Sequence, residues 1–150
     1  MISLICKQYG IENYTINSDG SIDVNGNVNL YGFDLTELPL TFNKVSGYFS
    51  CGYNNLTTLK GSPKWVGGFF GCSNNRLPSL EFSPDYVGYF FSCEYNKLTD
   101  NYCIAEIGND FYTSLEQDGL IINSDNKATN YNEWRKMYKR KMILDDIFNM

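Results

Sequence analysis

The chain has 150 residues, enough for one domain with a continuous core, and its 12 basic and 17 acidic side chains leave a net charge of −5, which argues against general nucleic-acid affinity. It has no histidine, which removes the commonest general base, the Ser–His and Cys–His nucleophile pairs and most zinc sites. Five cysteines, no signal peptide and no apolar run of membrane-spanning length lead to the expectation of free thiols in a reducing, cytoplasmic setting.

Residues 2–9 read as a short helix stopped by Gly10. Tyr14–Ile16 and Ile22–Val24 then alternate like strands around Asn17-Ser-Asp-Gly20, a turn-rich tetrapeptide suited to a hairpin. Residues 1–23 are therefore expected to form an N-terminal cap. From Val24 to about Ile104 the sequence repeats itself every 21 residues. Val45, Gly47, Phe49, Cys51, Asn54, Leu56, Leu59 and Pro63 make one unit, and Val66, Gly68, Phe70, Cys72, Asn75, Leu77, Leu80 and Pro84 the next. Val24, Gly26, Val28, Leu30, Leu35 and Leu38 keep the register before them, and Val87, Phe91, Cys93, Asn96 and Leu98 after them. A fixed period of this length marks a solenoid.

Within a unit, Val45 to Gly52 is expected to be one strand, with Val45, Gly47, Phe49 and Cys51 facing inward and Tyr48, Ser50 and Gly52 outward. Parallel stacking at about 4.8 Å turns like residues into ladders. Val28, Phe49, Phe70 and Phe91 form one, and Leu30, Cys51, Cys72 and Cys93 another. Asn54, Asn75 and Asn96 are expected to turn inward and bond backbone groups of adjacent coils, where strand bends into loop.

These residues resemble leucine-rich repeat proteins. Phe49-x-Cys51-x-x-Asn54-x-Leu56-x-x-Leu59 fits the L-x-L-x-x-N-x-L core of that family, with Phe and Cys standing in for two leucines. The Val-x-Gly start, Ser62-Pro63, Ser83-Pro84 and the lead-in from Tyr14 to Val24 are similar to short variants from bacteria and their phages. The match spans residues 14–104; Phe33 replaces the Asn of the first unit and Asn101 the second leucine of the fourth. The resemblance implies an α/β class fold: a short leucine-rich repeat solenoid with a parallel β-sheet, a hairpin/helix N-terminal cap and a C-terminal helical cap. It also implies a phage protein that binds and blocks one host protein, such as a defence enzyme, in the bacterial cytoplasm.

Beyond the fourth unit the pattern changes. From Asp100, read as an N-cap, Ile104, Ile107, Phe111 and Leu115 recur at helical spacing, and Asp118-Gly119 ends the segment. After a polar loop over residues 123–130, Asn130-x-x-Glu133 resembles a capping box opening a helix to about Phe148. Tyr131, Trp134, Met137, Tyr138, Met142, Leu144 and Phe148 share its apolar stripe, and Arg135, Lys136, Lys139 and Arg140 lie across from it. The division is thus a cap at 1–23, four repeats at 24–104 and a helical cap at 105–150 of a single domain.

No residues announce catalysis. Asp145-Asp146, Asp19 and Asp23 fit no acid/base or metal pattern, and the glycines follow the repeat rather than a phosphate loop. The stacked cysteines run parallel instead of converging, so they read as small apolar core residues, not as disulfides or a metal site. No cofactor and no metal are expected, and the chain reads as a non-enzymatic binding protein. The outer, concave side of the sheet is the candidate site: Tyr31, Tyr48, Tyr53, Phe69, Phe90, Glu94 and Tyr95 line it, with small residues between. Grouped exposed aromatics mark partner surfaces; the competing reading is that a helix of the same chain covers them. Two further functions compete with protein binding. One is nucleic-acid binding through Arg135, Lys136, Lys139 and Arg140, aided by exposed tyrosines. The other is homo-oligomeric or virion assembly through the aromatic face.

Overall fold

The computed structural model describes residues 1–98, together with the backbone of residues 106–107 and 111–112. Helix α1 (Ile2–Gln8) lays Ile2 and Ile5 on the core and buries Cys6 completely. It ends at Tyr9 and Gly10, where φ of +65° takes the chain out of the helix. Strands β1 (Tyr14–Ile16) and β2 (Ile22–Val24) then pair antiparallel as the expected hairpin, with Tyr14 opposite Val24. Their turn is held by side chains as well as backbone. Asp19 accepts from Ser21 Oγ (2.6 Å) and Ser21 N (2.9 Å), and Asp23 from Asn43 Nδ2 (2.8 Å) and Asn17 Nδ2 (3.2 Å). Those donors favour the ionised form and hold both carboxyls below the usual aspartate range.

The repeat folds into a parallel β-solenoid. Each coil contributes two short strands, and the two sets make two sheets. Strands β2, β4 (Phe42–Val45), β6 (Trp65–Val66), β8 (Tyr86–Val87) and β10 (Glu106–Ile107) stack in parallel, with β1 closing the N-terminal edge of this first sheet. Strands β3 (Val28–Asn29), β5 (Phe49–Ser50), β7 (Phe70–Gly71), β9 (Phe91–Ser92) and β11 (Phe111–Tyr112) make the second. Val45 pairs with Val66 and Val66 with Val87, while Phe49 pairs with Phe70 and Phe70 with Phe91. The register is thus the 21-residue period of the sequence.

The single strand expected from Val45 to Gly52 is instead two, broken at Ser46-Gly47. The cause is close backbone contact between coils. Gly47 N donates to Gly26 O (2.9 Å) and Gly68 N to Gly47 O (2.8 Å). A Cβ on Gly47 would lie 2.7 Å from the Gly26 carbonyl oxygen and run into Asn27 Oδ1. Gly47 therefore belongs to the bend rather than to the core face.

The core matches the remaining inward positions. Val28, Phe49, Phe70 and Phe91 are fully buried, as are Leu30, Cys51, Cys72 and Cys93. Phe49 and Phe70 stack with centroids 5.6 Å apart and planes 8° apart. Leu56, Leu59, Leu77, Leu80 and Leu98 fill the interior behind them. The asparagine ladder also forms. Asn75 Nδ2 donates to Cys51 O and Cys72 O (both 3.0 Å) while its Oδ1 accepts from Leu56 N (3.0 Å). Asn54 and Asn96 repeat the pattern one coil earlier and later.

Two expectations need correction. Among the described residues one seven-residue helix accompanies eleven strands, so the architecture is sheet-based and not evenly α/β. The helix expected from Asp100 through Leu115 is replaced, where the chain is described, by β10 and β11. Ile107 pairs with Val87 and Phe111 with Phe91, so the stacking continues with one residue fewer than the period. Ile107 and Phe111 are four apart, as are Val87 and Phe91. That spacing belongs equally to a helix face and to the two strands of a coil. The second expected helix, from Asn130 to about Phe148, lies outside the described residues.

Phe70→Ala removes a ring from a filled ladder and is expected to cost about 3–5 kcal/mol in chemical denaturation, whereas Ser50→Ala should cost a few tenths at most. Equal losses would mean that inward and outward faces are exchanged. Asn75→Ala leaves Leu56 N without its acceptor and takes one of two asparagine donors from each of Cys51 O and Cys72 O, so it should cost at least about 1 kcal/mol.

The hairpin responds to acid. Folding lowers the Asp19 and Asp23 values, so their contribution is present above the ordinary aspartate range of about 4 and is lost as pH falls through the lowered folded values. In NMR titrations the amide signals of Ser21 and Ile22 should therefore shift and broaden in acid before that of Phe70. A simultaneous change at all three would remove these carboxylates from any special role.

Candidate functional site

The outward face of the second sheet carries four columns of side chains, one residue per coil in each. Asn27, Tyr48, Phe69 and Phe90 form the first and Asn29, Ser50, Gly71 and Ser92 the second. Tyr31, Gly52, Ser73 and Glu94 form the third. At the lip, where the strand turns into the return path, come Gly32, Tyr53, Asn74 and Tyr95. Alternation turns Tyr31, Tyr48, Phe69, Phe90 and Glu94 outward, whereas Tyr53 and Tyr95, of inward parity, are turned out by the left-handed bend that follows the strand.

The aromatic residues of that surface are not equivalent. Tyr48 and Phe69 stack with centroids 4.7 Å apart and planes 9° apart, and Phe69 and Phe90 at 4.8 Å and 1°. Each ring covers the face of the next, at the spacing that the strands impose. All three are half-buried. This column therefore presents mostly ring edges, and Phe69 lies over Gly71, where a Cβ would sit 3.6 Å from Phe69 Cε2. Tyr31 and Tyr53 make a different arrangement, 4.9 Å apart with planes tilted by 44°. They are 52% and 55% exposed, and the Tyr31 ring roofs Gly52, whose Cβ would lie 3.5 Å from Tyr31 Cδ2. Tyr95 is 56% exposed at the same lip position two coils on, and Glu94 beside it is half-buried.

Two features of this surface escaped the sequence reading. The lip residue of every described coil is held in the left-handed region: φ is +71° at Gly32, +51° at Tyr53, +57° at Asn74 and +55° at Tyr95. The recurrence of Gly and Asn at that repeat position was the available signal. The first sheet also carries its own outward stack. Lys44 Nζ sits 4.7 Å from the Trp65 ring centroid, and Trp65 stacks on Tyr86 at 5.3 Å and 14°. Lys44, Trp65 and Tyr86 are spaced by one period, so this ladder was equally legible.

The chemistry elsewhere is sparse. Among the described residues no three His, Cys, Asp or Glu side chains gather where they could hold a metal ion. The four described cysteines are buried, and burial pushes the Cys51 thiol up to about 12. A groove of about 450 Å³ between α1 and the return path of the first two coils is lined by Ile2, Ile5, Leu38 and Leu40 with Glu37 and Lys60, and no buried polar side chain points into it. Among the described residues no helix is long and apolar enough to cross a membrane. Arg135, Lys136, Lys139 and Arg140, the expected nucleic-acid contacts, lie outside the described residues, as does Cys103. No family model, no curated protein and no solved structure matches the chain.

Buried neutral thiols react slowly, because the thiolate is the nucleophile and must be exposed to act. In the native protein Cys51, Cys72 and Cys93 should resist maleimide labelling for as long as the fold persists and label within minutes in denaturant. Rapid native labelling of all three would place the cysteine ladder on the surface.

Proposed function

We propose that this protein is a non-enzymatic protein-binding module whose contact surface is the outward face of its second sheet. The carrying observation is the run of aromatic side chains on that face, Tyr31, Tyr48, Tyr53 and Phe69, in a molecule whose inward positions are already filled by Val28, Phe49 and Phe70. Aromatic residues interleaved with Ser, Asn and Gly suit recognition, since large flat rings lose little rotamer freedom when covered. The 21-residue period, the asparagine ladder and the residues shared with short leucine-rich repeats support a repeat-protein scaffold of that type. By that resemblance the chain is a phage product that binds, and thereby inhibits, a protein of the bacterial host such as a defence enzyme. This last step is analogy, because a fold does not fix a function. The buried thiols of Cys6 and Cys51 accord with work in a reducing cytoplasm.

Nucleic-acid binding is the second reading, resting on the Arg135, Lys136, Lys139 and Arg140 cluster of the sequence. The described aromatic face offers phosphates little: residues 27–31, 48–53 and 69–74 contain no charged side chain.

Affinity capture from bacterial lysate, with and without nuclease, separates these readings. Wild-type protein should retain a partner that survives nuclease treatment. Phe69→Ala should weaken its retention by about 1–2 kcal/mol, with a smaller loss of folding stability than Phe70→Ala. Loss of all captured protein on nuclease treatment would favour the basic cluster. Capture that Phe69→Ala and Tyr48→Ala leave unchanged would move the contact surface elsewhere.

A further inference from the structure

Tyr53 is an awkward residue for the place it occupies. Its backbone sits at φ +51°, and the asparagine after it leaves little choice: Asn54 is buried and bonds Leu30 O, Cys51 O and Gly52 O, fixing the chain on both sides. At the same position of neighbouring coils the chain uses Gly32 and Asn74, the residues that adopt this conformation most readily. A bulky side chain there is strained, and such outliers persist where they serve a site. The Tyr53 ring adds nothing to the core. It is more than half exposed, and its ring neighbour is Tyr31, itself more than half exposed. Tyr95 repeats the strain at the lip two coils on, at φ +55° and 56% exposed, and Phe82 is also held in this region, at +67° and 49% exposed, but on the return path.

We infer that Tyr53, with Tyr31 beside it, anchors an uncharged stretch of a partner polypeptide. This rests on the protein-binding reading above and places its energetic centre at the lip instead of in the Tyr48–Phe69–Phe90 stack. In the stack both faces of Phe69 and one face each of Tyr48 and Phe90 are closed by neighbouring rings, so a partner meets mostly edges there. The Tyr31–Tyr53 pair leaves ring surface and two phenol hydroxyls available. The surroundings set the partner's chemistry. Around the pair, residues 27–31, 48–53 and 69–74 carry no charged side chain, and Glu94 stands two coils beyond Tyr53, so a charged segment would lose its hydration without gaining a counter-charge there, whereas a neutral one gives up far less. The 44° tilt between the rings denies a base or sugar one flat platform, and Asn29, Ser50, Ser73 and Asn74 around them offer the hydrogen-bond partners that peptide groups take.

The test is a display library of random short peptides selected on the full-length chain, with every enriched peptide titrated against wild type, Tyr53→Asn and Tyr31→Ala. Enriched peptides should lack charged residues at their shared positions and bind each variant at least about tenfold more weakly. Tyr53→Asn, which relieves the backbone, should melt at the same temperature as wild type or higher, so lost binding cannot be lost fold. Enrichment of acidic or basic peptides would overturn the inference. So would neutral peptides that bind Tyr53→Asn as well as wild type but fail on Phe69→Ala, which would leave the protein-binding reading intact and move its centre to the stack. Should no peptide enrich, and sedimentation show a wild-type dimer that Tyr53→Asn makes monomeric, the occupant is a second copy and the inference fails.

Discussion

One asparagine per coil holds this fold to its period. Where the second sheet turns into the return path, carbonyl groups of two successive coils point to each asparagine side chain instead of to a neighbouring strand. Asn54, Asn75 and Asn96 each donate to those carbonyls, in their own coil and in the one before, and accept an N–H from the returning chain. An unpaired buried carbonyl or N–H costs about 1–3 kcal/mol, so the turn is stable only with an amide of this size and reach at this place. The first coil, which has Phe33 there, borrows its neighbour: Asn54 Oδ1 accepts from both Phe33 N and Leu35 N. The left-handed residue before each asparagine, the inward cysteine two positions earlier still, and the leucine after it all result from keeping that amide in position.

Much of this was visible in the sequence because the solenoid writes each structural role at a fixed interval. The two core ladders, the asparagine ladder, the hairpin strands Tyr14–Ile16 and Ile22–Val24 and the helix before them lie where the residues put them. The reading failed where one pattern serves two structures. A spacing of four apolar positions from Ile107 to Phe111 is a helix face by local rules and a coil by long-range pairing, and only neighbours 20 residues away decide between them. Gly47 failed for a related reason: alternation assigns it to the core, but contact with the Gly26 carbonyl, invisible in a single strand, makes it a bend. Such contacts are tertiary and override local preference.

The outward face illustrates a second limit. Alternation correctly turns Tyr48, Phe69 and Phe90 away from the core, but it cannot tell whether rings on adjacent strands will lie across one another or splay. Here they stack at the spacing of the strands, so a residue type chosen for its exposed surface spends much of it on its own neighbours. The same happens on the first sheet, where Lys44, Trp65 and Tyr86 close over each other. Regular repetition thus tends to hide aromatic surface, and among the more open rings are some that break the regularity: Tyr31, one coil from a glycine, and Tyr53 and Tyr95, in a turn that elsewhere holds glycine or asparagine.

The antiparallel β1 carries a consequence for how such molecules meet. A stack of near-identical parallel coils is a template for its own extension, since the first coil of one molecule could receive the last coil of another and build a fibre. Running β1 against the direction of every other strand in its sheet changes the hydrogen-bond spacing that an incoming parallel strand would need. At the neighbouring edge, Asn29 Oδ1 accepts from Tyr31 N (3.1 Å) and occupies a donor that a newcomer would use. The N-terminal cap is therefore a terminator of polymerisation as much as a cover for the core.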